Sequence, residues 1–251
     1  ILTHQNRDAL VHQAANAYHL AAGFECLQQA EILTQANFDA LVHQAAHAQE
    51  LAFGFTFLQR AGILTHQNRD ALVHQAANAY NLALGFGFLQ QANILTQANR
   101  GALIVQSAHA DNLRRGLEYL QRTRILTQAN FDALVDQAVH AHELASVFTF
   151  LHRARILTRE NVDVLIGQAG HVNYLESGFR HLQLEGILTQ PNFDALVGQA
   201  AHAYYLIRAF DRLLEAMIFT QANFDTLVSQ AAHALQLARG VAMLQQAGIL
   251  M

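Results

Sequence analysis

Six histidines, His47, His109, His140, His171, His202 and His233, are separated by 31 residues or a multiple of 31. Imidazoles at a fixed spacing first raise the question of a metal. Zinc needs three or four ligands at about 2.0–2.1 Å from one ion. Equivalent side chains of stacked units lie roughly a helix packing distance apart, about 8–10 Å. Two neighbours could barely share an ion, and no acid or thiol stands ready to complete the set. His43 and His47 are four apart, the pairing one helix face offers a metal, but a break in the helix is expected beside them. Asn16 and Asn78 take the place of histidine in two units, as stacked turn residues would. Neither a metal nor any other cofactor is expected.

Nucleophilic and phosphate chemistry find no motif either. There is no Gly-rich phosphate loop and no Gly-x-Ser-x-Gly elbow. Cys26, the single cysteine, stands where other units carry Phe57, Phe88, Tyr119 and Phe150, so it reads as a semi-buried packing residue. Asp8, Asp39, Asp70, Asp132, Asp163, Asp194 and Asp225 recur near the start of a helix, where an acid complements the helix dipole. The chain is therefore expected not to be an enzyme.

What remains is a group of tyrosines and arginines in the second half of units 4 to 7. Arg114, Arg115, Tyr119, Tyr174, Tyr204, Tyr205 and Arg208 are the candidate binding residues, with Arg180 and Arg212 close in sequence. Tyrosine and arginine combine large contact area with directional donors and are enriched at interface hot spots.

These residues are positioned by one 31-residue unit written eight times without insertion or deletion. The units span 1–31, 32–62, 63–93, 94–124, 125–155, 156–186, 187–217 and 218–248, and Ile249-Leu250-Met251 starts a ninth. The whole of 1–251 is thus one repeat array. Strict periodicity of this length implies a solenoid in which each unit touches mainly its neighbours. Numbered from its Ile, every unit has Thr at 3, Asn at 6, Leu at 10, Gln at 13, Leu at 20 and Leu at 27. The apolar positions 10, 14, 17, 20, 24 and 27 step by three and four, which is helical spacing.

The threonine precedes that pattern and reads as an N-cap. The asparagine three residues later could reach back as a capping box would. Gly62, Gly186 and Gly248 sit where a left-handed C-cap would close the unit. Asn, His or Gly at positions 15 and 16 suggests a break, because these residues tolerate positive φ. Asn is also a good cap, and Glu50 and Glu143 follow position 16 at capping-box spacing. Each unit is therefore divided into helix A, positions 4–14, and helix B, positions 17–30. The rival is one helix of about 27 residues, which the even apolar spacing would also allow. The expected fold is all-α, a right-handed αα solenoid or superhelix of eight helix-turn-helix repeats.

Composition narrows the partners. Acids outnumber bases, 19 to 15, for a net charge of −4. A continuous basic stripe for nucleic acid is absent. No run of 18 apolar residues suggests a membrane span, and no signal peptide is visible. All 15 basic residues are arginine. Nucleotide composition amplified by duplication would produce this, and so would selection against lysine modification such as ubiquitination. The chain starts without Met and stops inside a unit, so it is read as part of a longer protein. Its end units carry no polar capping repeat, so end-to-end self-association is expected.

The phrase Leu-Thr-x-x-Asn, an apolar helix and then Leu-Gln-x-Ala-Gly resembles helical-repeat arrays of secreted effectors of intracellular bacteria. There is a fainter likeness to TAL-effector-like DNA-binding repeats, which open Leu-Thr-x-x-Gln. This chain lacks the Gly-Gly loop and following Lys-Gln of those repeats, and its unit is three residues shorter. Tetratricopeptide and ankyrin signatures are absent. The resemblance implies a protein-binding scaffold in the cytoplasm or delivered into a host cell, with a eukaryotic host protein as partner. The alternative it implies is a modular nucleic-acid-binding array.

Overall fold

The computed structural model describes residues 4–247. Thr3, Gly248 and the start of a ninth unit lie outside the described residues, as does the side chain of Asn6. Every described repeat holds two α-helices, and there is no strand among the described residues. The A helices are α1 (His4–His12), α3 (Gln35–His43), α5 (His66–His74), α7 (Gln97–Val105), α9 (Gln128–Asp136), α11 (Arg159–Gly167), α13 (Gln190–Gly198) and α15 (Gln221–Ser229). The B helices are α2 (Ala17–Gln29), α4 (Ala48–Arg60), α6 (Ala79–Gln91), α8 (Ala110–Arg122), α10 (Ala141–Arg153), α12 (Val172–Leu184), α14 (Ala203–Glu215) and α16 (Ala234–Gln246).

The residues form two compact units, Ile1–Gln121 with Leu126–Phe131 and Arg122–Ile125 with Asp132–Met251. In the first, α2 packs on α4 and α4 on α6; in the second, α10 packs on α12, α12 on α14 and α14 on α16. Within each unit, helix B of one repeat thus lies against helix B of the next, which is the neighbour-to-neighbour packing of a solenoid.

The start of each A helix follows from its threonine. Thr34, Thr65, Thr96, Thr158, Thr189 and Thr220 have extended φ and ψ, and each hydroxyl accepts from the backbone N–H three residues on. The asparagine that supplies this N–H does not complete a capping box. Its side chain donates instead to the carbonyl of the repeat's own Ile, at 2.7 Å for Asn68–Ile63 and Asn99–Ile94. The remaining amide capacity crosses to the next repeat. Asn99 and Gln128 exchange two hydrogen bonds, as do Asn161 with Gln190 and Asn192 with Gln221. These asparagines are buried, so each bond satisfies a group that would otherwise be costly to leave dry.

The split into two helices is present, with tighter limits than expected. Helix A ends at position 12 and helix B at position 29, with a short 3₁₀ turn at 14–16, such as Ala45–His47, between them. Positive φ is not used at this turn: Gln44 has φ −96° and His47 φ −112°. The chain tightens into i→i+3 bonding rather than reversing, so an αL residue is unnecessary. Nor do Asn or His at position 16 cap α2, α4, α6, α10, α12 or α14 through their side chains, which removes the second capping box expected with Glu50 and Glu143.

Left-handed backbone occurs instead at the ends of the first seven repeats. Gly62 and Gly186 have φ of +68° and +70°, and Glu31, Asn93, Arg124, Arg155 and Met217 take the same conformation at φ 57° to 61°. Ile32 N–H bonds Leu27 C=O and Glu31 N–H bonds Gln28 C=O, the paired closure of a Schellman turn.

The core is made by the shared positions. Leu27, Leu58, Leu89, Leu120, Leu151, Leu182 and Leu213 are buried, each contributing about 1.5–3 kcal/mol of transfer free energy. A glycine at position 23 lets repeats approach. A β-carbon on Gly54 would lie 3.0 Å from Leu72 and 3.1 Å from the Ala79 carbonyl oxygen of the next repeat.

Candidate functional site

With Leu20- and Leu27-type residues committed to the core, helix B turns positions 18, 19, 22, 25 and 26 outward or sideways. In the first compact unit this face carries aromatic rings from three consecutive repeats. Tyr18 meets His19 at 5.2 Å between ring centroids, His19 meets Phe53 at 6.0 Å, and Phe53 meets Tyr80 at 6.0 Å. All three contacts are edge-to-face, the arrangement favoured by ring quadrupoles and worth about 0.5–1.5 kcal/mol each. The strip is nevertheless wet: Tyr18 is 80% exposed and Phe53 45%.

None of these four is among the seven candidate residues, but all fall at helix B positions 18, 19 and 22, where the units differ most in chemistry and where sequence places a ligand strip. Tyr18 and Tyr80 do share position 18, but His19 and Phe53 come from positions 19 and 22. Only the offset between packed helices brings those positions together.

Three predicted residues, Arg114, Arg115 and Tyr119, stand on α8 in the same unit. Arg114 is held between Asp111 at 3.2 Å and Glu118 at 2.9 Å, and Arg115 Nε lies 3.0 Å from Asp111. Both guanidinium groups are thus matched along their own helix. Tyr119 is exposed at the position where Cys26, Phe57 and Phe88 sit in earlier repeats.

In the second unit the structure brings Tyr174, Tyr204 and Tyr205 together. Tyr174 and Tyr204 are 5.5 Å apart and Tyr204 and Tyr205 5.4 Å, again edge-to-face. Arg208 is one helical turn beyond the pair on α14, its Nη1 3.8 Å from Asp211 Oδ2. The other oxygen of Asp211 is 3.1 Å from His181 Nε2 of the preceding repeat. His181, Arg208 and Asp211, with Arg212, Leu214 and Glu215 but none of the three tyrosines, border a surface cavity of about 290 Å³. On α12, Glu176 accepts from Arg180 at 2.6 and 2.8 Å and from the Ser146 hydroxyl of α10 at 2.9 Å.

The sequence's other chemical candidates resolve into structure. The position-16 histidines of repeats 2 and 4 to 7 are half-buried turn residues, and no group of three or more potential ligands gathers among the described residues. Cys26 Sγ lies 3.4 Å from Thr56 Oγ1. That hydroxyl donates to the Ala52 carbonyl at 2.7 Å, so the thiol is the donor of the pair. No helix among the described residues is long and apolar enough to cross a membrane. No known protein family, curated protein or solved structure matches the chain. Of the resemblance noted in the sequence, the repeated helical array is the part the structure has.

Proposed function

We propose that the chain is a non-enzymatic scaffold that binds a protein segment along the aromatic face of helix B. The observation that carries this reading is the strip of mutually braced rings: exposed Tyr18, Phe53 and Tyr80 with half-buried His19 in one unit, exposed Tyr174, Tyr204 and Tyr205 in the other. Rings held edge-to-face lose little rotamer freedom when a ligand covers them, and tyrosine offers a hydroxyl at the rim. Repeat arrays use such extended faces as binding surfaces. The likeness to effector repeats supports a secreted bacterial protein whose partner is a host protein.

Selection of displayed random peptides on the intact chain tests the reading. Peptides that bind should weaken by about tenfold or more against a Tyr174→Ala, Tyr204→Ala, Tyr205→Ala variant of unchanged helix content. Equal binding to the variant would remove the second-unit strip as the site. Salt-sensitive binding of random oligonucleotides, in the absence of any selected peptide, would favour the nucleic-acid alternative instead.

A further inference from the structure

Arg122, Arg124, Arg153 and Arg155 occupy positions 29 and 31 of two consecutive repeats, at the ends of α8 and α10 and in the turns that follow. All four are exposed, and all belong to the same compact unit. None has an ion-pair partner among the described residues. By contrast, eight of the other eleven arginines hold a carboxylate. A helix C-terminus favours a cation in its last turn, which accounts for Arg122 and Arg153. It does not account for Arg124 and Arg155. These lie past the helix at φ +61°, a conformation that a β-carbon makes costly and that Gly62 and Gly186 adopt freely. Glu31 and Met217 show that the turn accepts other side chains. The information therefore lies in four unmatched charges of one sign on adjacent turns.

We propose that this edge docks an acidic, extended segment of a partner protein. Charge complementarity selects the chemistry, since each guanidinium fork can take a carboxylate through two parallel hydrogen bonds. Equivalent points of neighbouring repeats are roughly 8–10 Å apart, and every third residue of an extended chain recurs at about 10 Å. A nucleic-acid backbone fits less well. The next repeat has Leu184 and Gly186 at these positions, and Glu160 is exposed at the start of α11. The basic track that phosphates require therefore ends after two turns. The proposal shares no residue with the aromatic strip and does not rest on it.

Fluorescence anisotropy of a labelled polyglutamate peptide and a labelled single-stranded oligonucleotide, at low and moderate salt, tests the proposal on the whole chain. Polyglutamate is expected to bind in a salt-sensitive way. Binding should weaken by about tenfold in the Arg122→Gln, Arg124→Gly, Arg153→Gln, Arg155→Gly variant. The lesser Arg124→Gly, Arg155→Gly variant, whose glycines suit the turn, should lose about threefold without loss of helix content. A chain with Tyr174, Tyr204 and Tyr205 replaced by Ala should bind polyglutamate as the wild type does. Absence of polyglutamate binding, equal binding by both arginine variants, or tighter binding of the oligonucleotide would each overturn the proposal.

Discussion

The two compact units use the same helix positions for opposite chemistry. In the first, the seam between B helices is apolar or weakly polar: the Cys26 thiol donates to Thr56, and Phe57 lies over Gly87 so closely that a β-carbon there would overlap the ring. In the second, the equivalent seam is ionic, with Glu176 bound by Arg180 and Ser146 and with Asp211 between His181 and Arg208. The backbone turns, caps and leucine positions do not change between the two. The shared positions therefore carry the fold, and the seam positions are free to diverge.

The largest effect should test that separation. Leu58→Ala and Leu182→Ala remove the same buried leucine from the apolar and the ionic unit. Each is expected to cost about 2–5 kcal/mol in denaturant unfolding, and the two should agree to within about 1 kcal/mol. A clear disparity would mean that the seam, and not the shared core, sets local stability.

Next comes the ionic seam itself. Arg180→Ala leaves the buried Glu176 with only the Ser146 hydroxyl. The expected loss is about 1–3 kcal/mol. Arg180 is itself 56% exposed, and solvent screening places the effect toward the lower end. Glu176→Leu together with Arg180→Ala should recover most of it, because the first unit shows that this seam packs without charge. Failure of the double variant to recover would mean that the second unit needs its ion pair for specificity.

A smaller contrast concerns position 23. Gly54→Ala should destabilise by about 1 kcal/mol as the added carbon meets the Ala79 carbonyl and Leu72. Gly240→Ala, on α16 with nothing within 4 Å of the added carbon, should instead stabilise by about 0.5–1 kcal/mol. Thermal melts of the two variants moving in the same direction would refute the close-approach reading.

The smallest effect is electrostatic. Glu160 has its carboxyl held below the ordinary range, first by a hydrogen bond from its own backbone N–H and then by Thr158. Since the folded value is the lower one, this stabilisation is present above the ordinary carboxyl range and fades as pH falls through the folded value. A side-chain titration followed by NMR, showing Glu160 shifting back toward ordinary behaviour in Thr158→Val, would confirm the hydroxyl's share.

Much of the fold was legible because the chain repeats its own answer. Thr34 and its equivalents had to be caps, and Gly62 and Gly186 had to be left-handed, because their chemistry admits few other roles at those places. The limits of legibility were contacts between repeats. Asn99 could be assigned to its own helix start, but its pairing with Gln128 depends on where the next repeat's first turn falls in space. The variable positions 18, 19 and 22 marked the face that carries Tyr18, His19, Phe53 and Tyr80, but the ring contacts that join them cross from one repeat to the next and could not be read from one repeat. Of the predicted residues, Tyr174, Tyr204 and Tyr205 converge, whereas Arg114, Arg115 and Arg208 are each engaged by an acid one turn away on their own helix.

The reciprocal amide pairs between successive A helices have a mechanical meaning. Asn161 clasps Gln190 and Asn192 clasps Gln221, each clasp joining a repeat to the following one and to no other. Under tension applied along the chain, such clasps carry load in series, so the weakest parts first and its neighbours still hold. Each release would pay out one 31-residue length, roughly 100–110 Å when drawn straight. The molecule would then yield in even steps, as a spring made of separate coils does.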